Sequence, residues 1–131
     1  MLEGTCHCGA ASCWRFDAEP EGATACNCTI CRRHGALWIY GHEGIDVTAS
    51  GPTSAYTRGE AHLAFHFCAV CGCVVYWRGL MPEPDGRRRM AVNVRLAEPG
   101  TVAHLPIDHF DGLDTFTDLP RDGRTVRDMW S

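Results

Sequence analysis

Apolar residues in this chain come in short runs broken by Gly, Pro, Asp or Glu, a pattern that suits strands and leaves no room for long helices. Candidate strands cover 10–16, 36–40, 45–48, 54–57, 62–67, 74–77, 90–94 and 102–105. The clearest alternation is His62-Leu63-Ala64-Phe65-His66-Phe67. It places Leu63, Phe65 and Phe67 on one face and predicts His62 and His66 on the other, in solvent. No window carries the 3.6-residue period of an amphipathic helix, so the pattern predicts an all-β domain of small sheets. Trp38, Tyr40 and Phe110 are strand aromatics, and such rings usually belong to the core rather than to a pocket.

Length adds that one domain over residues 1–131 is the natural expectation, because a chain of 131 residues supports one core rather than two. Hydrophobic residues at 45% and charged residues at 21% are those of a folding chain, not a disordered one. A net charge of -4 supplies no general attraction for nucleic acid or for an anionic membrane. The basic run Arg87-Arg88-Arg89 follows Pro82, Pro84 and Gly86 and reads as a solvated turn. No basic stretch followed by an apolar one opens the chain, and no apolar run is long enough to span a membrane. The expected compartment is therefore the cytoplasm, with neither nucleic acid nor membrane as a partner.

Cysteine changes the picture. Of nine cysteines, eight fall into three tight groups: Cys6 and Cys8; Cys26, Cys28 and Cys31; Cys68, Cys71 and Cys73. Sulfurs two or three residues apart strain a disulfide, yet a tight turn aims both at one ion, so C-x-C and C-x-x-C spacing points to metal. An odd count and a reducing compartment favour the same reading. Cys13 stands apart, within a predicted strand, and is expected in the core as a small hydrophobe.

Ligand counting then separates two zinc sites. A closed structural zinc takes four ligands, and the simplest pairing joins the first group to the third as Cys6, Cys8, Cys68 and Cys71. Gly72, next to the C-x-x-C pair, relaxes the turn that such a knuckle needs. The middle group offers three thiolates, Cys26, Cys28 and Cys31, and leaves one tetrahedral corner for an incoming thiol. The competing reading is a non-catalytic structural or binding module in which Cys73 closes that corner. Arg32 and Arg33, after the third thiolate, could offset its charge, grip a carboxylate, or lie exposed in solvent.

Gly4-Thr5-Cys6-His7-Cys8-Gly9-Ala10, Cys26-Asn27-Cys28-Thr29-Ile30-Cys31-Arg32-Arg33-His34-Gly35-Ala36 and Phe67-Cys68-Ala69-Val70-Cys71-Gly72 resemble the three signatures of the glutathione-dependent formaldehyde-activating enzyme family, which also contains centromere protein V. Val92-Asn93-Val94 and His109-Phe110-Asp111-Gly112 are similar to its later features. The resemblance implies a β-tent fold of twisted antiparallel sheets. It implies a structural zinc on Cys6, Cys8, Cys68 and Cys71 and a catalytic zinc on Cys26, Cys28 and Cys31. The activity it implies is a carbon-sulfur lyase chemistry run in reverse, joining glutathione to formaldehyde or another small aldehyde.

Overall fold

The computed structural model describes residues 1–9, 12–57 and 62–130. Its elements in chain order are β1 (Leu2–Thr5), β2 (Cys13–Phe16), β3 (Ala23–Cys26), the short helix α1 (Cys31–His34), β4 (Trp38–His42), β5 (Val47–Ser50) and β6 (Thr53–Tyr56). There follow β7 (Leu63–Cys68), β8 (Val74–Gly79), β9 (Arg89–Asn93), the short helix α2 (Pro99–Val102), β10 (Ile107–Asp111) and β11 (Thr117–Leu119). Tight 3₁₀ turns occupy Val94–Leu96 and Val126–Met129. The all-β expectation holds.

Strands β1, β2 and β5 make an antiparallel sheet of three. The other eight form one sheet in the order β11-β10-β3-β4-β9-β8-β7-β6. Every neighbour in it is antiparallel except β3 and β10, which run parallel in register from Ala23 against Ile107 to Cys26 against Phe110. That parallel pair departs from the purely antiparallel expectation, and it sets the start of the middle cysteine group beside β10.

Alternation along the central strands gives the large sheet two apolar faces. Ile39, Met90 and Val92 pack with Trp14, Phe16 and Val47 of the smaller sheet in the main core. Their neighbours Trp38, Ala91 and Trp77 turn the other way and form a second cluster with Phe65, Ala36 and Cys31. Cys31 belongs to this second cluster, and Cys26 and Cys28 pack against it.

Several expectations are corrected here. The segment 102–105 is not a strand: Pro99 opens α2 with its fixed φ, and the chain turns before β10, burying Val102 and Leu105. The expected strand 10–16 is seen as β2, and its first two residues lie outside the described residues. Cys13 is half-buried rather than core, because Trp14 and Phe16 take the inner face of β2. Its Sγ lies 3.2 Å from Ser50 Oγ. His66 is not simply solvated either. It stacks on Tyr76, ring centroids 4.5 Å apart, and its Nδ1 meets Thr53 Oγ1 at 3.0 Å. Burial, with Arg78 nearby, lowers its pKa. A register shift between His66 and Phe67 breaks the alternation that the sequence displays.

Candidate metal centres and the cavity beside them

The first and third cysteine groups meet as expected. Thiolate sulfurs at about 2.3 Å from a shared centre stand about 3.8 Å apart in a tetrahedron. Here Cys6 Sγ lies 3.6 Å from Cys8 Sγ, and Cys8 Sγ lies 3.7 Å from Cys68 Sγ. The sulfurs of Cys6, Cys8, Cys68 and Cys71 all fall within 4.8 Å of one another. The β7–β8 turn supplies the support: Gly72, at φ +81°, donates its N–H to the Cys68 carbonyl at 3.0 Å. The Val70 N–H reaches Cys68 Sγ at 3.4 Å. Backbone N–H from Cys71, the Ser12 side chain and Val70 together pull the Cys68 thiol down to about 5. Such a sulfur is a thiolate at neutral pH, as a metal ligand must be.

Cys26, Cys28 and Cys31 form the second group, again within 4.8 Å. Cys26 ends β3, Cys28 follows two residues on, and Cys31 opens α1, so a strand end and a one-turn helix converge on one point. The Cys31 N–H donates to Cys28 Sγ at 3.3 Å, and the Trp38 indole N–H donates to Cys31 Sγ at 3.4 Å. Burial works against the Cys28 thiolate, but hydrogen bonds from the Cys31 backbone and from both neighbouring thiols prevail, and its pKa falls. Burial raises Cys31 and Cys26. A cation bound by these three sulfurs would displace their protons.

Cys73 does not reach the second group. Its thiol accepts from the His7 N–H and feels the charges of Cys71 and Cys6, so it flanks the first group. The reading in which Cys73 closes the open corner is corrected: the β7–β8 turn carries all three of its cysteines to the far partner. Among the described residues, no other His, Cys, Asp or Glu joins either set.

The middle group borders a cavity of about 1270 Å³. Trp38 is buried in the second core cluster, as expected, and also borders the cavity; Tyr40, 41% exposed, and Phe110 line it instead of the core. Burial pushes the Tyr40 hydroxyl up to about 12; Thr24 opposes this and the sulfurs of Cys26 and Cys31 add to it. Tyr40 thus stays a proton donor at every physiological pH. His34, whose ring centroid is 6.0 Å from that of Phe65, also lines the cavity, and burial lowers its pKa. Arg33 reaches the cavity while donating to the Thr29 carbonyl at 2.8 Å; Arg32 is exposed and points elsewhere.

A loop after β10 presses on the thiolates from outside, and the sequence did not mark it as part of the site. Asn27, between Cys26 and Cys28, donates to Asp111 Oδ1 at 3.0 Å and accepts the Leu113 N–H at 3.0 Å. Asp111 in turn accepts from the Asp114 and Thr115 N–H groups and from Thr115 Oγ1. A Cβ on Gly112 would lie 2.7 Å from Cys26 Sγ, so only glycine fits that close approach. The Asp-Gly pair at 111–112 was visible in the sequence, but its contact with cysteines more than eighty residues earlier was not.

The fold and the site together define a small all-β protein with two separate clusters of cysteine sulfurs that could hold metal ions, one beside a large cavity. Residues 1–107 match the family described as "Glutathione-dependent formaldehyde-activating enzyme", and the chain belongs to that family. It is 24% identical over 124 residues to a Halomonas elongata protein named "Putative glutathione-dependent formaldehyde-activating enzyme", a match covering 83% of this chain and 76% of that protein. The crystal structure of a Rhodobacter sphaeroides protein shares the fold, with a TM-score of 0.58 and 24% identity over 80% of this chain and 98% of that one.

Proposed function

We propose that residues 1–131 act as one zinc-dependent domain of the carbon-sulfur lyase type, making or breaking the adduct of glutathione with formaldehyde or another small aldehyde. One observation carries this reading. The three sulfurs of Cys26, Cys28 and Cys31 gather at the cavity, whereas the four of Cys6, Cys8, Cys68 and Cys71 do not line it. The donor sets fit the assignment, since four soft thiolates suit a closed structural zinc and three leave a corner for an exogenous ligand.

Zinc on Cys26, Cys28 and Cys31 would lower the pKa of an incoming thiol and hold its sulfur in place. The chain does the remaining work. The N–H groups of Cys31 and Trp38 balance the sulfurs' negative charge, which exceeds that of a divalent ion. Ring walls flank the reacting atoms. As the thiol sulfur bonds to the aldehyde carbon, the carbonyl electron pair moves to oxygen, which takes up the proton that the thiol loses. Tyr40, which lines the same cavity, is the residue we assign as proton donor to that oxygen. No oxidation is involved, and a reducing cytoplasm suits nine cysteines that form no disulfide.

Exchange spectroscopy by NMR on glutathione with formaldehyde tests the reading. The zinc-loaded protein should speed exchange, Cys28→Ser should abolish the gain, and metal content should fall from two ions to one. An unaccelerated exchange at every protein concentration would defeat it. The position of Cys73 beside His7, Cys71 and Cys6 supports the open reading over the closed structural module.

A further inference from the structure

A one-carbon aldehyde would leave most of this cavity untouched. Pockets for small ligands usually measure about 300–1,000 Å³. This one, at about 1270 Å³, exceeds that range, and its walls are largely rings. Tyr40, Trp77 and Arg89 come from three adjacent strands, β4, β8 and β9, whose register aligns Tyr40 and Trp77 with Ala91. Arg89, two residues before Ala91, shares its face. The Tyr40 and Trp77 ring centroids are 5.9 Å apart, and Trp38 and Phe65 continue the wall at 6.2 Å.

Two features point to an occupant of definite chemistry. The first is Arg89, whose guanidinium carbon lies 5.5 Å from the Trp77 ring centroid and 5.9 Å from that of Tyr40. Arg78, Arg87 and Arg121 each hold a carboxylate. Among the described residues, no carboxylate lies within ion-pair distance of Arg89, so a cation fixed on two rings faces the cavity rim without an anion. The second is Phe116, which is 75% exposed and has φ +55°, a conformation unfavourable for a bulky side chain. Its ring meets Phe110 edge-on at 4.9 Å, and its N–H donates to the Asp111 carbonyl at 2.7 Å. The Asp111 loop therefore adds a strained, solvent-facing ring to the lining of the cavity that the middle cysteines border.

We propose that the ligand of this cavity is a glutathione adduct with a large apolar substituent on sulfur, from an aromatic or medium-chain aldehyde rather than formaldehyde. A glutathione carboxylate rests on Arg89, and the substituent lies between the ring wall and Phe116. This rests on the thiol-aldehyde reading above and sharpens it. The chemistry keeps its balance: the sulfur-carbon bond forms as the carbonyl oxygen gains the thiol's proton, whatever group the carbon carries.

Calorimetric titration of the zinc-loaded protein with stable thioethers separates binding from turnover. S-hexylglutathione and S-benzylglutathione should each bind at least about tenfold more tightly than S-methylglutathione, since the extra apolar surface leaves water. Arg89→Gln should weaken all three by about fivefold or more. Phe116→Ala should weaken the S-hexyl compound and leave the S-methyl one nearly unchanged. Equal affinities for the three thioethers, or an unaltered Arg89→Gln variant, would overturn the proposal. Exchange rates with hexanal and with formaldehyde complete the test: faster exchange for formaldehyde together with equal affinities would sink this inference and keep the proposed function. Selective binding without acceleration of any aldehyde would sink the catalytic reading and uphold the ligand assignment.

Discussion

Asn93 shows how much of this molecule hangs on single buried side chains. Its Oδ1 accepts from the N–H groups of Leu37 and Arg95, its Nδ2 donates to the Val74 carbonyl at 2.9 Å, and its carbonyl accepts from the Trp14 indole at 3.1 Å. Leu37 follows the middle cysteine helix and Val74 follows Cys73, so one amide ties both cysteine-bearing segments to β9. Asn93→Ala should cost about 2–4 kcal/mol in denaturant unfolding, because several buried groups lose their partner at once. Gly112 carries a different constraint. Gly112→Ala would drive a methyl group against Cys26 Sγ. The expected outcome is a protein that folds and keeps the first metal but binds the second at least about tenfold more weakly, read by competition with a chromophoric chelator. At the same scale, Tyr40→Phe should slow thiol-aldehyde exchange by about tenfold while metal content stays unchanged, if its hydroxyl donates to the forming alkoxide.

At the scale of elements, the loop between β10 and β11 acts as a brace for the middle knuckle. Asp111 is the charged centre of that brace, and the Asn27 amide, the Asp114 and Thr115 N–H groups and the Thr115 hydroxyl hold its carboxyl down to about 2. A carboxyl depressed in the folded state stabilises above its unfolded pKa, near 3.8, and that contribution fades as pH falls through about 2. The protection of the Thr115 amide, its exchange relative to an unstructured peptide at the same pH, should thus stay high at pH 4 and fall toward pH 2. Asp111→Ala should show low protection at both. The parallel pairing of β3 with β10 is what lets this loop reach Cys26 and Cys28. Neither strand announces itself in the sequence, since Ala23-Thr24-Ala25-Cys26 has no polar-apolar contrast and Ile107-Asp108-His109-Phe110-Asp111 is mostly polar.

For the whole molecule, the two cysteine clusters have unequal structural weight. The first joins the end of β1 to the β7–β8 turn and so fastens the small sheet to the large one; the second lies on the outer face of the large sheet. Cys68→Ser should therefore lower the melting temperature strongly, with the loss of about 3 kcal/mol or more, whereas Cys28→Ser should lower it only slightly; scanning calorimetry on both checks this. Cysteine spacing made the local knuckles legible, because the chain dictates the geometry of sulfurs two or three residues apart, and ligand counting suggested which knuckles meet. Strand periodicity likewise revealed the all-β class and most central strands. Tertiary structure decided the rest. It put Cys73 with the first cluster, turned strand aromatics into cavity walls, and laid Gly112 on Cys26. Each of these depends on which strands become neighbours and which face each presents, and that is fixed by burial summed over the whole chain rather than by any local run of residues.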